Sequence, residues 1–215
     1  MAGAFWCIVE EDRKGMPKKV MAEVIGEAAR LAGGAVEAVW LTDKASDAGL
    51  KQLAEWGVTK VWLLENPAFG TYQAETWTPV LADLVAKESP KAVFGAVTSR
   101  QREFVARLAA RLGAGLAADC VAFTMDGDRL VATRPIYAGK LLSKVAWAKQ
   151  PWLATLRPNV FRPAEAKPDR VATVERPTVS APPAVMKLVE RREEVSTGLP
   201  ELAEAEIVLS GGRGM

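Results

Sequence analysis

Histidine is absent from the 215 residues of this sequence, and cysteine occurs only twice, at Cys7 and Cys120. Without an imidazole the chain can form neither a Ser-His-Asp triad nor a Cys-His dyad, and it has no imidazole general base. A closed tetrahedral zinc site would need unusual carboxylate ligation. Both cysteines lie in apolar, strand-like runs, which favours buried, unreactive thiols over a disulfide framework. The composition therefore excludes the common histidine-dependent hydrolases.

Long apolar runs and an excess of one charge are also missing. No uncharged apolar run approaches the roughly 18 residues of a transmembrane helix, so we expect no membrane insertion. The N-terminus lacks a basic region before its apolar stretch, so we expect no export signal and a cytoplasmic protein. A net charge of +2 is small, and the basic residues are interspersed with acidic ones. This pattern argues against a nucleic-acid partner.

Short apolar runs alternate with helical periodicity from residue 3 to about residue 125, which is typical of β-α-β units that build a parallel sheet. The first four predicted strands cover residues 4–11, 35–42, 59–65 and 91–98. They are nearly continuous apolar runs, as a sheet covered by helices on both faces requires. Later strands follow one another through short turns such as Asp126-Gly127-Asp128. We therefore predict an α/β fold of three layers, α/β/α, with a mostly parallel sheet and an added antiparallel edge.

The C-terminal quarter has a different composition. Six of the 13 prolines occur from Pro158 to Pro183, so this stretch is predicted to be extended, and neither a helix nor a central strand. The segment "VMKLVERREEV", residues 185–195, is predicted as one more short strand or helix. We predict three parts: an N-terminal α/β domain at residues 1–160, an extended Pro-rich linker at 161–197, and the first strand and Gly-rich loop of a truncated second domain at 198–215.

The closing "SGGRG" could bind an anionic cofactor. It follows the apolar run from Ala205 to Ser210, which is predicted to be a strand. Glycines after a strand let backbone N–H groups approach a phosphate, and an arginine among them can pair with that anion or stack on a planar ring. A glycine-rich disordered terminus explains the same letters, so both interpretations stay open.

Two further stretches have competing explanations. Thr98 and Ser99 follow the fourth predicted strand, where open parallel sheets bind ligands, yet Thr98 with Gln101 also has the spacing of a helix cap. We favour the cap over anion binding. Glu10, Glu11 and Asp12 close the first strand. We favour a solvated strand end over a catalytic pair or a metal site.

Three stretches read together resemble the α subunit of electron-transfer flavoprotein. They are "LAARLGAGLAADCVAF", then "TRPIYAGKLLSKV" followed by "QPWLATLRPNVF", and finally "EAEIVLSGGRGM". The order and the gaps are those of the family, and the resemblance covers the whole chain. It implies an N-terminal domain similar to adenine-nucleotide alpha-hydrolase-type folds, joined to an FAD-binding domain that begins near "SGGRG" and is truncated here. No catalytic or metal-binding residue is implied.

The resemblance also implies a function and partners. The family forms a heterodimer with a β subunit and carries electrons from acyl-CoA or other flavin dehydrogenases to a quinone reductase or another acceptor, as in fatty acid β-oxidation. It is an electron carrier and not a catalyst of a substrate reaction. The free-standing alternative is a nucleotide-binding domain of the universal-stress type. One position departs from many members of the family, which carry glycine where Gln101 stands, and this weakens nucleotide binding beside it.

For the cofactor, the resemblance implies that Arg213 contacts FAD, with Gly212 and Gly214 as backbone contacts. A lone exposed contact to a charged group contributes roughly 1.5 to 3 kcal/mol. Micromolar affinity needs about 8 kcal/mol. We therefore expect that these 215 residues alone do not retain FAD.

Overall fold

A large parallel sheet and a small antiparallel sheet form this molecule. The computed structural model describes residues 3–190, 192, 202, 205 and 207–214. In chain order the elements are β1 (Phe5–Ile8), α1 (Val20–Ala32), β2 (Val36–Thr42), α2 (Asp47–Glu55), β3 (Val58–Glu65), a 3-10 turn (Pro67–Phe69), α3 (Ala74–Glu88), β4 (Ala92–Ala96), α4 (Ser99–Arg111), β5 (Leu116–Cys120), β6 (Ala122–Asp126), β7 (Arg129–Ile136), β8 (Leu141–Ala146), β9 (Trp152–Leu156) and β10 (Thr173–Glu175).

The large sheet has the strand order β10-β3-β2-β1-β4-β9-β5, and all its neighbours are parallel. Side chains of α1 and α2 pack on one face, including Met21 and Leu53. Side chains of α3 and α4 pack on the other, including Trp77 and Phe104. Strands buried on both faces must be apolar throughout, which is why their sequences show no alternation. The predicted fold class is confirmed.

The antiparallel strands differ from the prediction in one detail. β6, β7 and β8 pair only with one another, in a separate three-stranded sheet, and do not extend the edge of the large one. The run "WLATL" is β9, a parallel strand between β4 and β5. All five of its residues are buried, whereas β8 has no buried residue. A fully apolar strand gains most where both of its faces are covered.

The first helix, α1, begins at Val20. Pro17 lies just before it, opposite Glu11 in an isolated antiparallel bridge. The two cysteines are buried and free, as predicted. Burial raises the pKa of both thiols, so neither is a reactive thiolate.

Residues 161–186, here called the arm, run along the outside of the domain. At their start the carboxylate of Glu23 accepts hydrogen bonds from the backbone N–H groups of Asn159, Val160 and Phe161, at 3.0, 3.2 and 3.2 Å. The Phe161 ring lies in the core between the sheet and α1. A Cβ at Gly26 would come within 2.7 Å of an arm carbonyl oxygen, so glycine permits this close approach.

The arm then crosses the β3 edge of the large sheet. β10 pairs with β3 in parallel register, from Thr173 opposite Lys60 to Glu175 opposite Trp62. At the far end Gln73, which precedes α3, binds backbone groups of the arm. Its Oε1 accepts from the N–H groups of Val185 and Met186, and its Nε2 donates to the Met186 carbonyl oxygen at 2.7 Å. The arm thus contacts α1, the sheet edge and the start of α3, while the predicted domain boundaries stay predictions.

Two predicted elements near the C-terminus are not formed at the residues that the structure describes. Residues 185–190 contain neither helix nor strand, and the remainder of that predicted segment lies largely outside the described residues. Residues 207–210 contain no strand either, and Ile207 and Leu209 are 82% and 95% exposed. A strand needs a partner strand, and the described chain supplies none beside this segment. Within the described ranges, no helix has the length and apolar character to cross a bilayer.

Candidate functional site

The carboxyl ends of β1 and β4 lie side by side in the middle of the large sheet. The chain order reverses between these two strands, and open parallel sheets bind ligands in the crevice at such a switch point. Here Glu10 lies in that crevice and is only 3% exposed. Its carboxylate accepts a hydrogen bond from Lys18 Nζ at 2.6 Å and another from the Thr98 hydroxyl. The chain's own side chains therefore occupy the switch point.

Thr98 has a second contact that explains its place. Its Oγ1 accepts from the backbone N–H of Gln101 at 3.1 Å, which makes Thr98 the N-cap of α4. The predicted cap is confirmed, and Ser99 is the first residue of the helix. Thr98 donates its hydroxyl proton to Glu10, and its oxygen accepts from the helix. Both hydrogen-bonding functions of this side chain are therefore used within the protein.

The side-chain amide of Gln101 bridges β1 and β4 just beyond their last paired residues. Its Oε1 accepts from the Ala96 N–H at 2.7 Å, and its Nε2 donates to the Ile8 carbonyl oxygen at 3.0 Å. The side chain is 1% exposed, so these bonds are made away from water. A Cβ at Gly95 would lie 2.3 Å from Gln101 Oε1, which shows how completely the amide fills this space. Gln101 thus closes the floor of the crevice.

The acidic end of β1 is only partly solvated, which corrects the favoured interpretation. Glu10 is buried, Asp12 is exposed, and Glu11 is intermediate. Glu11 accepts hydrogen bonds from the Trp40 indole at 2.9 Å and from the Thr42 hydroxyl at 3.4 Å. Burial raises its pKa above the ordinary value, and these hydrogen bonds and the Arg100 charge act in the opposite direction. Among the described residues no group of acidic or cysteine side chains has the arrangement of a metal site.

This crevice is poorly suited to a nucleotide phosphate. The buried Glu10 carboxylate, paired with Lys18, occupies the crevice, so a phosphate would have to displace this buried ion pair. The Gln101 N–H at the start of α4 already donates to Thr98 Oγ1, so it is not available to a phosphate. The switch point therefore holds β1, β4 and α4 together and leaves little room for a ligand.

The predicted cofactor residues lie elsewhere. Gly212, Arg213 and Gly214 are exposed, and residues 213–214 form a turn. A Cβ at either glycine would meet no atom within 4 Å, so the backbone there is open to a ligand. Two glycines with unobstructed backbone and one guanidinium group are suited to one side of a binding site for an anionic cofactor. The described residues do not bring this segment against Thr98, Ser99 or the acidic end of β1.

One cluster escaped sequence reasoning. Asp119 in β5 pairs with Arg157, and the two carboxylate oxygens accept from Nε at 2.8 Å and from Nη2 at 2.5 Å. Arg134 of β7 lines the same cavity of about 430 Å³. The sequence signal for this pair is an aspartate inside the apolar strand "LAADC" and an arginine directly after "WLATL".

Comparisons with known proteins agree with this fold and these motifs. Residues 5–182 match the family described as "Electron transfer flavoprotein domain". The chain is 36% identical over 215 residues to the electron transfer flavoprotein subunit alpha of Syntrophomonas wolfei subsp. wolfei, covering 100% of this chain and 66% of that protein. It is 31% identical to the protein FixB of Clostridium saccharobutylicum and 30% identical to the electron transfer flavoprotein subunit alpha of Bacillus subtilis.

These two matches each cover 97% of this chain and 64% of the relative. The chain thus spans about two thirds of the length of the curated relatives it matches. The match covers most of the described domain, including both sheets and most of the arm. The chain therefore belongs to the electron transfer flavoprotein family, among relatives that are named as alpha subunits or FixB.

Proposed function

We propose that this chain is the N-terminal part of the α subunit of a heterodimeric electron-transfer flavoprotein. In this role it joins a β subunit, and the assembly carries electrons from acyl-CoA or other flavin dehydrogenases to a quinone reductase or another acceptor. The family match and the names of the relatives support the α-subunit assignment. The proposed setting is fatty acid β-oxidation in the cytoplasm.

A single observation favours a supporting role over a catalytic one. The switch point of the sheet is filled by Glu10, Lys18, Thr98 and Gln101, so the usual ligand crevice of this fold is closed. The glycines beside Arg213, in contrast, have open backbone. In this proposal the segment around Arg213 contacts the cofactor and the outer surface of the domain docks with a partner. The sheet itself does not hold the cofactor.

FAD is the proposed cofactor of the whole protein. A bound flavin supplies the electron-transfer chemistry, and the protein supplies position and local charge. The Arg213 guanidinium would offer a positive charge to the cofactor, and Gly212 and Gly214 would let backbone N–H groups approach it. A guanidinium near a flavin favours negatively charged forms of the cofactor.

The assignment is tested with the full gene product and the β subunit of the same organism. We expect the two chains to elute together from gel filtration with visible flavin absorbance. Arg213→Gln should lower the retained flavin, whereas Arg192→Gln, at an exposed arginine paired with Glu190, should leave it unchanged. Equal flavin content in Arg213→Gln would remove the role of that residue, and failure to elute with the β subunit would remove the heterodimer.

The residues 1–215 alone give a second test. We expect them to emerge from gel filtration without flavin. We also expect no binding of ATP or AMP in a calorimetric titration, because the Glu10 carboxylate occupies the place of a phosphate. Micromolar binding of either nucleotide would favour the universal-stress alternative instead.

A further inference from the structure

A cavity of about 430 Å³ opens beside the turn that joins β7 to β8. Its lining combines Asp119, Arg134 and Arg157 with residues 135–139. Arg134 begins the run Arg-Pro-x-Tyr-x-Gly, Arg157 lies in Leu-Arg-Pro and Asp119 lies in β5, and the flavin assignment leaves all three segments without a role. The fold therefore gathers three separate segments around one open space.

The charges of this cavity do not balance. Both oxygens of Asp119 are engaged by the fork of Arg157, so the carboxylate has its strong acceptor directions in use. The hydrogen bonds from Arg157 lower the Asp119 pKa, and Arg102 and Arg134 lower it further, so this side chain is ionised at neutral pH. Two guanidinium charges thus face one carboxylate charge, which leaves the cavity with a net positive charge.

Arg134 carries the unbalanced charge. Its Nε is buried and has no hydrogen-bond partner in the part of the chain that the structure describes. A buried N–H donor without an acceptor is unfavourable, and more so when it belongs to a charged group. Arg134 lines the cavity, so a turn of its side chain toward the open space would bring this donor to an acceptor that enters from outside.

The backbone around the cavity is held in an unfavourable conformation. Asp119, Tyr137 and Ala138 have φ values of 60°, 50° and 54°. Only five described residues other than glycine have positive φ, and three of them line this one cavity. At Tyr137 and Ala138 the positive φ is that of the turn between β7 and β8, whereas Asp119 lies within a strand, where this conformation costs energy and is typical of a functional site.

We propose that this cavity binds a carboxylate group, with Arg134 as its cationic ligand and the Asp119–Arg157 pair as a fixed wall. A planar carboxylate matches the guanidinium edge and supplies the missing acceptor. A single negative charge also neutralises the cavity. A phosphate dianion would add a second negative charge beside Asp119, so it fits less well.

The rim of the cavity suggests what else the carboxylate's molecule contacts. Tyr137 is 74% exposed, and Leu141, the cross-strand neighbour of Ile136 on the face of the sheet that carries Arg134, is 56% exposed. An acidic side chain flanked by apolar residues would bury these groups on binding, whereas a small free acid would not. A protein side chain and a small free acid would present the same carboxylate to Arg134. Contact with the apolar rim distinguishes the two.

The test follows the arginine Nε–Hε resonances of the protein by NMR during titration with sodium acetate, with a blocked Leu-Asp-Leu tripeptide, with inorganic phosphate and with sodium chloride. The variants are Arg134→Gln, Arg134→Lys and the control Arg129→Gln, an exposed arginine at the start of the same strand. Thermal unfolding of each variant checks that it is folded.

We expect acetate to shift the Arg134 resonance saturably, and chloride to shift it little. Arg129→Gln should bind as the wild type does. Arg134→Gln should show no saturable shift of its remaining resonances, and Arg134→Lys, read through the Arg157 resonance, should bind about tenfold more weakly because lysine lacks the planar fork. Tripeptide binding that is at least about tenfold tighter than acetate binding identifies a protein side chain as the source, provided that Leu141→Ser removes the gain. Equal binding of the two identifies a small acid.

Three results would overturn the proposal. One is a shift that rises linearly with acetate without saturation. Another is equal binding of acetate and chloride, which means an adventitious ion only. The third is tighter binding of phosphate than of acetate, since the charge argument for a carboxylate would then fail.

Discussion

Gln101→Ala tests the closed switch point most directly. The wild-type amide bonds the Ala96 N–H and the Ile8 carbonyl oxygen, and it is 1% exposed. The alanine variant leaves both buried main-chain groups without partners, at about 1 to 3 kcal/mol for each. We therefore expect the free energy of unfolding to fall by about 2 to 6 kcal/mol. Urea denaturation followed by tryptophan fluorescence measures it, with exposed Arg102→Ala as a control that should change it by less than about 0.5 kcal/mol.

Gly95→Ala completes a double-mutant cycle with that variant. In the wild type the new Cβ would lie 2.3 Å from Gln101 Oε1, so we expect a loss of about 1 to 3 kcal/mol from overpacking. When Gln101 is alanine, that oxygen is gone and the next contact is Val105 Cγ2 at 3.2 Å. The same substitution should then cost at least about 1 kcal/mol less. Strictly additive losses would refute the reasoning that the two residues share one space.

Three further predictions concern the arm and the acidic end of β1. Glu23→Gln, which weakens three bonds to the start of the arm, should lower the free energy of unfolding by about 1 to 2 kcal/mol in urea denaturation; no change would contradict the anchoring role. Gln73→Ala should speed hydrogen exchange of the Val185 and Met186 amides about tenfold while β4 amides stay protected, and equal protection would count against the contact. Burial raises the Glu11 pKa, so its ionisation opposes folding once the pH rises above its ordinary value of 4.5. Glu11→Gln should therefore gain stability relative to wild type as the pH rises through this range, and a pH-independent difference in urea midpoints would contradict the sign.

The four central strands could be predicted because their signal is local. Each of β1 to β4 is a short apolar run, and each lies within or next to its predicted range. The helices between them show apolar residues at helical spacing, which the sequence displays without reference to any distant residue. Layer order followed from the same pattern, since strands that are apolar throughout need cover on both faces.

The partner of each later strand could not be predicted in the same way. β9 has an apolar run like that of β4, but nothing in its letters says that it inserts between β4 and β5 in parallel. Side-chain contacts between distant segments could not be predicted for a related reason. Asp119 and Arg157 are 38 positions apart, and only the fold brings them together. Gln101 showed the spacing of a cap, whereas its buried amide bridges two strands that the sequence does not reveal to be neighbours.

The pairing of β10 with β3 has a consequence for self-association. Without β10, the backbone of β3 from Lys60 to Trp62 would present unpaired N–H and C=O groups at a bare sheet edge, which invites strands of other molecules. The replacement edge is only three residues long and is followed closely by Pro177, which has no N–H to offer. Proteolytic removal of residues 161–186 would therefore expose the β3 edge and make the domain prone to aggregation.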